Sequence, residues 1–211
     1  VSDYHLFETM RFAPGEGVVR QGFHLARLAR SAGRLGFAGA ASAPAFLDAQ
    51  LAALPAERAL RLRLALTREG ALSLASAPFT PHAADTVWRL RIAGVKAQSR
   101  DRLLRHKVSR RTLYDQARAE FTADEADEVL ILNEAGLPCE GTITSLFLDD
   151  GSGTLKTPPV AYGLLAGVLR TSLICARRAR VERLTLRQVR QGRLFMGNSL
   201  RGLIPAILDA E

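Results

Sequence analysis

Cysteine is nearly absent: 211 residues include two, Cys139 and Cys175, and neither belongs to a Cys-x-x-Cys pair. That excludes a disulfide scaffold and a zinc knuckle, and makes the cytoplasm the default compartment. Long apolar runs are also lacking. None reaches the ~18 residues of a membrane span, and the opening VSDYHLFETMRF carries Asp3, Glu8 and Arg11 where a secretory leader would be apolar. No membrane partner is expected. His5, His24 and His82 show no metal-ligand spacing with carboxylates or cysteines, so no metal is expected either. There is no Walker-type loop and no Gly-x-Gly-x-x-Gly, which leaves nucleotide binding without support. Lysine is scarce too: of 29 basic residues only Lys96, Lys107 and Lys156 are lysines. Any chemistry that needs a primary amine is confined to three positions.

What is present reads as a globular protein. With 47% hydrophobic and 24% charged residues the composition lies far from disordered or collagen-like chains, and the length suits one large domain or two small ones. A net charge of +8 and a pI near 10.4 fit nucleic-acid binding. The arginines, however, are scattered through apolar-periodic segments rather than gathered in one run, so an arginine-rich surface is the favoured reading and no nucleic-acid partner is expected.

HLFETMRFA is apolar with partial alternation and runs into Pro14-Gly15-Glu16-Gly17, which predicts a strand entering a hairpin. In GFHLARLARSAGRLGF the residues Phe23, Leu25, Leu28, Leu35 and Phe37 recur at near-helical spacing, with Arg27, Arg30 and Arg34 on other faces. A second helix is expected over the alanine-rich stretch from Ser42 to Pro55. Strands RALRLRLALT and ALSLASA follow, and TVWRLRIAG closes a first α+β unit near Gly94. The second half reads as a helix over about Ser109 to Phe121, a strand DEVLILN, and LPCEGTITSLFLDD as a strand interrupted around Glu140-Gly141. A hairpin at Asp150-Gly151-Ser152-Gly153, a helix from about Ala166 to Arg180, strands RVERLTL and RLFMGNS, and a final apolar stretch LIPAIL complete it. The layout is α+β, with residues 1–97 as a small N-terminal domain and 98–211 as a larger C-terminal one.

Read by themselves, the candidate chemical residues stay ambiguous. Imine chemistry needs a lysine whose amine is partly free, and cationic neighbours such as Arg105, His106, Arg110 and Arg111 favour that at Lys107. An exposed lysine in a basic loop explains the same residues. Glu140 reads either as a turn-flanking surface carboxylate or as a partner for a nitrogen heterocycle. Gly167 opens a helix, where the first backbone N–H groups favour an anion, and it reads equally as a plain cap. Cys139 reads as a buried small residue and His106 as a structural one.

Taken together, LFETMR, HLARL, the lysine of RHKVSRRTLYDQAR, EVLILNEAGLPCEGTITSLFL, LKTPPVAYGLLAGVLR and FMGNSLRGLIPA resemble, in order and over nearly the whole chain, the signature blocks of the class IV aminotransferases. These are the fold-type IV pyridoxal phosphate enzymes, which include branched-chain and D-amino acid aminotransferases and 4-amino-4-deoxychorismate lyase. The resemblance implies a two-domain D-amino acid aminotransferase-like fold with pyridoxal 5'-phosphate in the inter-domain crevice. It places Lys107 at the position of the lysine that links covalently to the cofactor and acts as general base, and Glu140 at that of the glutamate paired with the ring nitrogen. Gly167, Val168 and Leu169 fall on one phosphate-binding turn, Asn198 and Ser199 on a second, and Arg27 on the arginine that contacts the phosphate.

Some positions depart from the family pattern. Ser145 stands where most relatives have asparagine, Ala166 where many have proline, and Arg110 at a common asparagine position. The sequence opens without the strand and Gly-Asp-Gly segment usual in the family ahead of LFETMR, so the resemblance does not extend to the part of the substrate pocket which that segment lines. Thr9 replaces the glycine of branched-chain enzymes and Arg111 their tyrosine, so the lyases resemble this sequence best. The resemblance therefore implies conversion of 4-amino-4-deoxychorismate to 4-aminobenzoate and pyruvate within folate biosynthesis. Transamination of branched-chain or D-amino acids with 2-oxoglutarate is the alternative, and a catalytically silent relative is a third reading. Thr9, Arg63, Arg111 and Arg201 are the candidates to bind a small carboxylated amino substrate. A homodimer is implied by the resemblance alone.

Overall fold

The computed structural model describes residues 4–54 and 57–209; Asp3 and Pro55 lie outside the described residues. Two compact units form, one running to Pro81 and including His106–Arg110, the other comprising His82–Arg105 and the chain from Arg111 onward.

The first unit is a four-stranded antiparallel sheet backed by helices. Strand β1 (Leu6–Ala13) is paired on one side by the short β2 (Gly17–Val18). Helix α1 (Gln21–Leu35) and, after a short 3-10 turn, helix α2 (Ala43–Leu51) follow. Strands β3 (Leu60–Leu66) and β4 (Leu72–Pro78) complete the order β2-β1-β3-β4. The sequence LRLRLAL explains β3 directly. Side chains alternate faces along a strand, so Leu60, Leu62, Leu64 and Leu66 are all buried while Arg61 and Arg63 are exposed on the other face. Residues 107–109 add to the β1 edge: Phe7 N donates to Lys107 O at 3.1 Å, Ser109 N donates to His5 O at 2.9 Å, and Leu6 bridges Val108.

The second unit is built on an eight-stranded sheet. It contains β5 (Trp88–Ile92), helix α3 (Thr112–Ala119), β6 (Glu128–Leu132), β7 (Pro138–Gly141), β8 (Ser145–Asp149) and β9 (Leu155–Thr157). Helix α4 (Val168–Cys175), β10 (Ala179–Val181), α5 (Leu186–Gln191), β11 (Arg193–Asn198) and β12 (Gly202–Leu208) follow. The order β10-β9-β8-β11-β12-β5-β6-β7 carries an additional β7–β8 pairing, so six of the strands close a ring and leave no open edge among them. Leu90, Leu130, Leu146, Leu194, Met196 and Ile204 pack in its core.

Three expectations need correction. The boundary does not fall at 97/98, because TVWRLRIAG does not close the first unit: β5 pairs in parallel with β6 and β12 of the second sheet. The strand read over RVERLTL is short, and Leu186–Gln191 is helical, started by a capping box in which Thr185 and Gln188 bond each other's backbone N–H. LPCEGTITSLFLDD is two strands. Gly141 N donates to Thr144 O in the turn between them, and a Cβ at Gly141 would collide with the Thr144 hydroxyl and the Glu128 carboxylate, so glycine is required there. Among the described residues no helix is long and apolar enough to cross a membrane.

Candidate active site

The first unit holds Lys107, Arg27, Thr9 and Arg63. Lys107 Nζ lies 4.5 Å from the centre of the Phe7 ring, and the Arg63 guanidinium carbon lies 3.8 Å from the same centre. Thr9 and Arg63 are direct cross-strand partners, so both project from the face that carries Phe7 and Lys107 Nζ. His106 Nδ1 lies 3.0 Å from Ser31 Oγ, a structural placement.

On the leucine-lined face, Arg27 makes a bidentate pair with Glu8: Nε donates to Oε1 at 2.8 Å and Nη2 to Oε2 at 2.5 Å. His24 Nδ1 is 2.6 Å from the same Oε2. Glu8 and His24 are each 1% exposed. Burial alone would raise the Glu8 pKa, but the Arg27 charge and the hydrogen bonds from His24 and Arg27 outweigh it and bring the carboxyl down to about 2. Burial pushes the His24 pKa down against the pull of Glu8, so the ring is neutral and donates its Nδ1–H. Sequence reasoning missed Glu8 and His24. A signal was available: His24, Arg27, Leu28 and Ser31 form one buried stripe of α1, and an arginine on such a stripe demands an internal acid.

The second unit gathers the other predicted residues. Glu140 is 5% exposed on β7, where Oε1 accepts from Tyr114 Oη at 2.8 Å and from Leu165 N at 3.0 Å. Burial and the adjoining Glu140 push the Tyr114 phenol well above its usual range, so it remains a donor. Arg111 stacks over the Tyr114 ring at 4.7 Å and donates to Thr142 O at 2.6 Å. Glu140 pairs with Ser145 on β8, and Ser145 pairs with Gly197 on β11.

Helix α4 abuts this row of strands. A Cβ at Gly167, the residue before its first turn, would stand 2.5 Å from Ser145 Oγ, and one at Gly197 would stand 2.8 Å from Leu169 Cδ2. The helix's own ladder starts with Thr171 N donating to Gly167 O at 2.8 Å, so the amides of Val168 and Leu169 precede it. Asn198 turns the chain from β11 to β12. Its Oδ1 accepts from Leu200 N and Arg201 N at 3.1 and 2.9 Å, its Nδ2 donates to Ile143 O at 3.2 Å, and Ser199 is held 6% exposed. Glu140, Gly167, Leu169, Asn198 and Ser199 are thereby brought to one end of the barrel. Arg201 is partly exposed beside them.

Two supporting residues were not foreseen. Glu128, 1% exposed, accepts from Thr142 N and Oγ1, Ile143 N and Thr144 Oγ1 at 2.6–3.1 Å and so fixes the turn after Glu140. Arg170 is buried on α4 and donates to Thr157 Oγ1 and Pro158 O at 3.2 and 2.8 Å. Cys139 is buried, which pushes its thiol up to about 12, and it is no nucleophile. Among the described residues no cluster of His, Cys, Asp and Glu could hold a metal.

Residues 5–207 match the model of the family described as amino-transferase class IV. The chain belongs to the class IV aminotransferases. A proposed amino-acid aminotransferase from Mesorhizobium loti is 47% identical, with a TM-score of 0.89 over 98% of this chain and 100% of that one. The 4-amino-4-deoxychorismate lyase of Pseudomonas aeruginosa is 24% identical, with a TM-score of 0.81 over 98% and 84%. The branched-chain aminotransferase of Thermoproteus uzoniensis is 20% identical, with a TM-score of 0.83 over 98% and 78%. Both share the fold. No curated protein matches the chain. As a class IV member it is a pyridoxal phosphate-dependent aminotransferase or lyase.

Proposed function

We propose that this class IV enzyme is a 4-amino-4-deoxychorismate lyase, forming 4-aminobenzoate and pyruvate. The observation that carries the reading is the sheet face on which Lys107 Nζ and the Arg63 guanidinium approach one aromatic ring, a base beside a carboxylate-pairing group. Pyridoxal phosphate fits the residues present. Gly167 has no room for a Cβ, which would stand 2.5 Å from Ser145 Oγ, so that hydroxyl packs directly against the backbone that opens α4, and a hydroxyl beside the first amides of a helix suits a phosphate. Gly167, Val168, Leu169, Asn198, Ser199 and Arg27 would hold the phosphate, and Lys107 would make the covalent link. Glu140, fixed by Tyr114 and Leu165 N, would keep a proton on the ring nitrogen. When bound, the cofactor supplies a sink for the electron pair released at the substrate carbon.

In this reading Lys107 removes the proton from the amine-bearing carbon. The bond to the enolpyruvyl oxygen then breaks, the leaving group gains a proton and departs as pyruvate, and the ring becomes aromatic. Thr9 and Arg63 flank the base, while Arg111 and Arg201 are further contacts for a carboxylated substrate. The 47% identical Mesorhizobium loti protein favours a second reading, transamination of an amino acid. Incubation with 4-amino-4-deoxychorismate, and separately with L- and D-amino acids plus 2-oxoglutarate, distinguishes the two. The expected result is 4-aminobenzoate with equimolar pyruvate. Glutamate formation without 4-aminobenzoate would replace the lyase by the transaminase.

Arg27→Ala is expected to weaken pyridoxal phosphate binding by about 10–150-fold, the range for one charge-assisted hydrogen bond. Arg30→Ala, on the exposed side of α1, leaves it unchanged. Equal dissociation constants for the two variants would take Arg27 out of the phosphate site.

A further inference from the structure

At the end of the barrel opposite Asn198 the second unit leaves an open groove. Arg193 begins β11 and Asn198 ends it, while the register sets Leu194 beside Ala206 and Ala206 beside Trp88, so the groove lies a strand length away from the candidate active site. It encloses about 290 Å³ among Val87, Val189, Leu194, Ile207, Arg190 and Arg193, and no acid among the described residues lines it. That volume falls just below small-molecule pockets, which run to roughly 300–1,000 Å³, and suits a few anchoring side chains. Its apolar part is uncovered: Val87 is 47% exposed and Ile207 60%, and large apolar side chains that share one groove under a polar rim mark an interaction surface. The rim has one sign of charge. Residues 183–193 hold four arginines, Arg183, Arg187, Arg190 and Arg193, all exposed, and no acid. Arg187 and Arg190 are three residues apart on α5 and share a face. Asp149 comes within 4.0 Å of Arg193 Nη1, an exposed pair that offsets little.

We propose that this groove docks an acidic peptide segment of a partner protein, with aliphatic or aromatic side chains seated on Val87, Val189, Leu194 and Ile207 and carboxylates on Arg187, Arg190 and Arg193. The surface combines an apolar floor with guanidinium forks, which pair with carboxylates bidentately, and arginine beside apolar anchors is the composition of protein-binding surfaces. Two other occupants match it less well. A second copy of this chain would bring the same patch to both sides of a two-fold contact and set one arginine rim against the other, which repel. A nucleic acid would meet the arginines through its phosphates and leave Val87 and Ile207 against a charged backbone. The proposal is independent of the lyase reading, since the groove shares no residue with the candidate active site.

The test is fluorescence anisotropy of the purified enzyme with labelled peptides of equal length: one of aspartate, glutamate and leucine, one with serine in place of leucine, and one with asparagine and glutamine in place of the acids. The first is expected to bind at least tenfold more tightly than either of the others. Ile207→Asp, and separately Arg190→Ala combined with Arg193→Ala, are each expected to weaken it at least tenfold, whereas Arg30→Ala, on α1, leaves it unchanged. The substituted positions of the groove are exposed, so these variants keep the fold. Equal binding of the leucine and serine peptides, an equal loss in Arg30→Ala, or tighter binding of a DNA duplex that Arg190→Ala with Arg193→Ala abolishes would overturn the docking site. So would a wild-type dimer that Ile207→Asp dissociates in analytical ultracentrifugation, which would give the groove to a second copy. None of these readouts depends on turnover.

Discussion

Lys107→Ala is expected to abolish the incorporation of a pyridoxyl group after borohydride reduction, while Lys96→Ala and Lys156→Ala retain it. The three lysines occupy unlike environments. Lys156 Nζ is held at 2.5 Å by Asp150 and 2.8 Å by Glu182, and these carboxylates raise its pKa, which keeps it charged and non-nucleophilic. Lys96 is exposed, and no ion pair holds it among the described residues. Lys107 alone is fixed by strand-like bonds to β1 and placed over an aromatic ring that also carries Arg63. Its charge is near enough to contribute to lowering the His24 pKa. Turnover should fall by ~10²–10⁴-fold from loss of the base alone. Peptide mapping that finds the label on Lys96 or Lys156 in the wild type would remove the central assignment.

The sequence made the sheets legible wherever burial is one-sided. LRLRLAL could only be a strand with a leucine face, and the register that pairs Thr9 with Arg63 follows from keeping those leucines inside. Legibility failed where a short signal had to compete with a longer apolar pattern. The Thr185–Gln188 capping box was present in the sequence, but a six-residue helix has too few turns to show periodicity against RVERLTL. TVWRLRIAG reads as a strand from its own pattern, but its sheet does not follow from it, since the parallel pairing with β6 and β12 is a long-range fact that no local pattern encodes. The candidate site divides in the same way. Motif blocks name Glu140, Gly167 and Asn198 as candidates, whereas Tyr114, Glu128 and Arg170, which make buried polar contacts around them, look like ordinary surface residues until the barrel closes.

Glu8→Ala is expected to be the most destabilising single change in the first unit. Removing one partner of a buried ion pair strands the other, at a cost of about 3–5 kcal/mol; in a chain of this size that lowers the melting temperature by about 10 °C. Glu8→Gln keeps the shape and removes the charge, so it isolates the electrostatic part. Because the folded carboxyl titrates at about 2 against an ordinary 4.5, its ionisation contributes stability that is fully present above pH 4.5 and is lost as the pH falls towards 2. The shift corresponds to about 3 kcal/mol. The stability gap between wild type and Glu8→Gln should therefore be wide at pH 7 and narrow at pH 3, as read from urea unfolding. A gap of equal width at both values would mean that the Glu8 carboxyl titrates alike in the folded and unfolded chains, and a gap wider at pH 3 would mean that it is protonated in the folded protein. The same variant also bears on the cofactor. Glu8 fixes the Arg27 guanidinium through two of its nitrogens, so releasing that grip should weaken binding of pyridoxal phosphate while leaving pyridoxal, which has no phosphate, unaffected. A purely structural Glu8 would lower both alike, so the ratio of the two dissociation constants separates a general loosening of the unit from the loss of an aligned arginine.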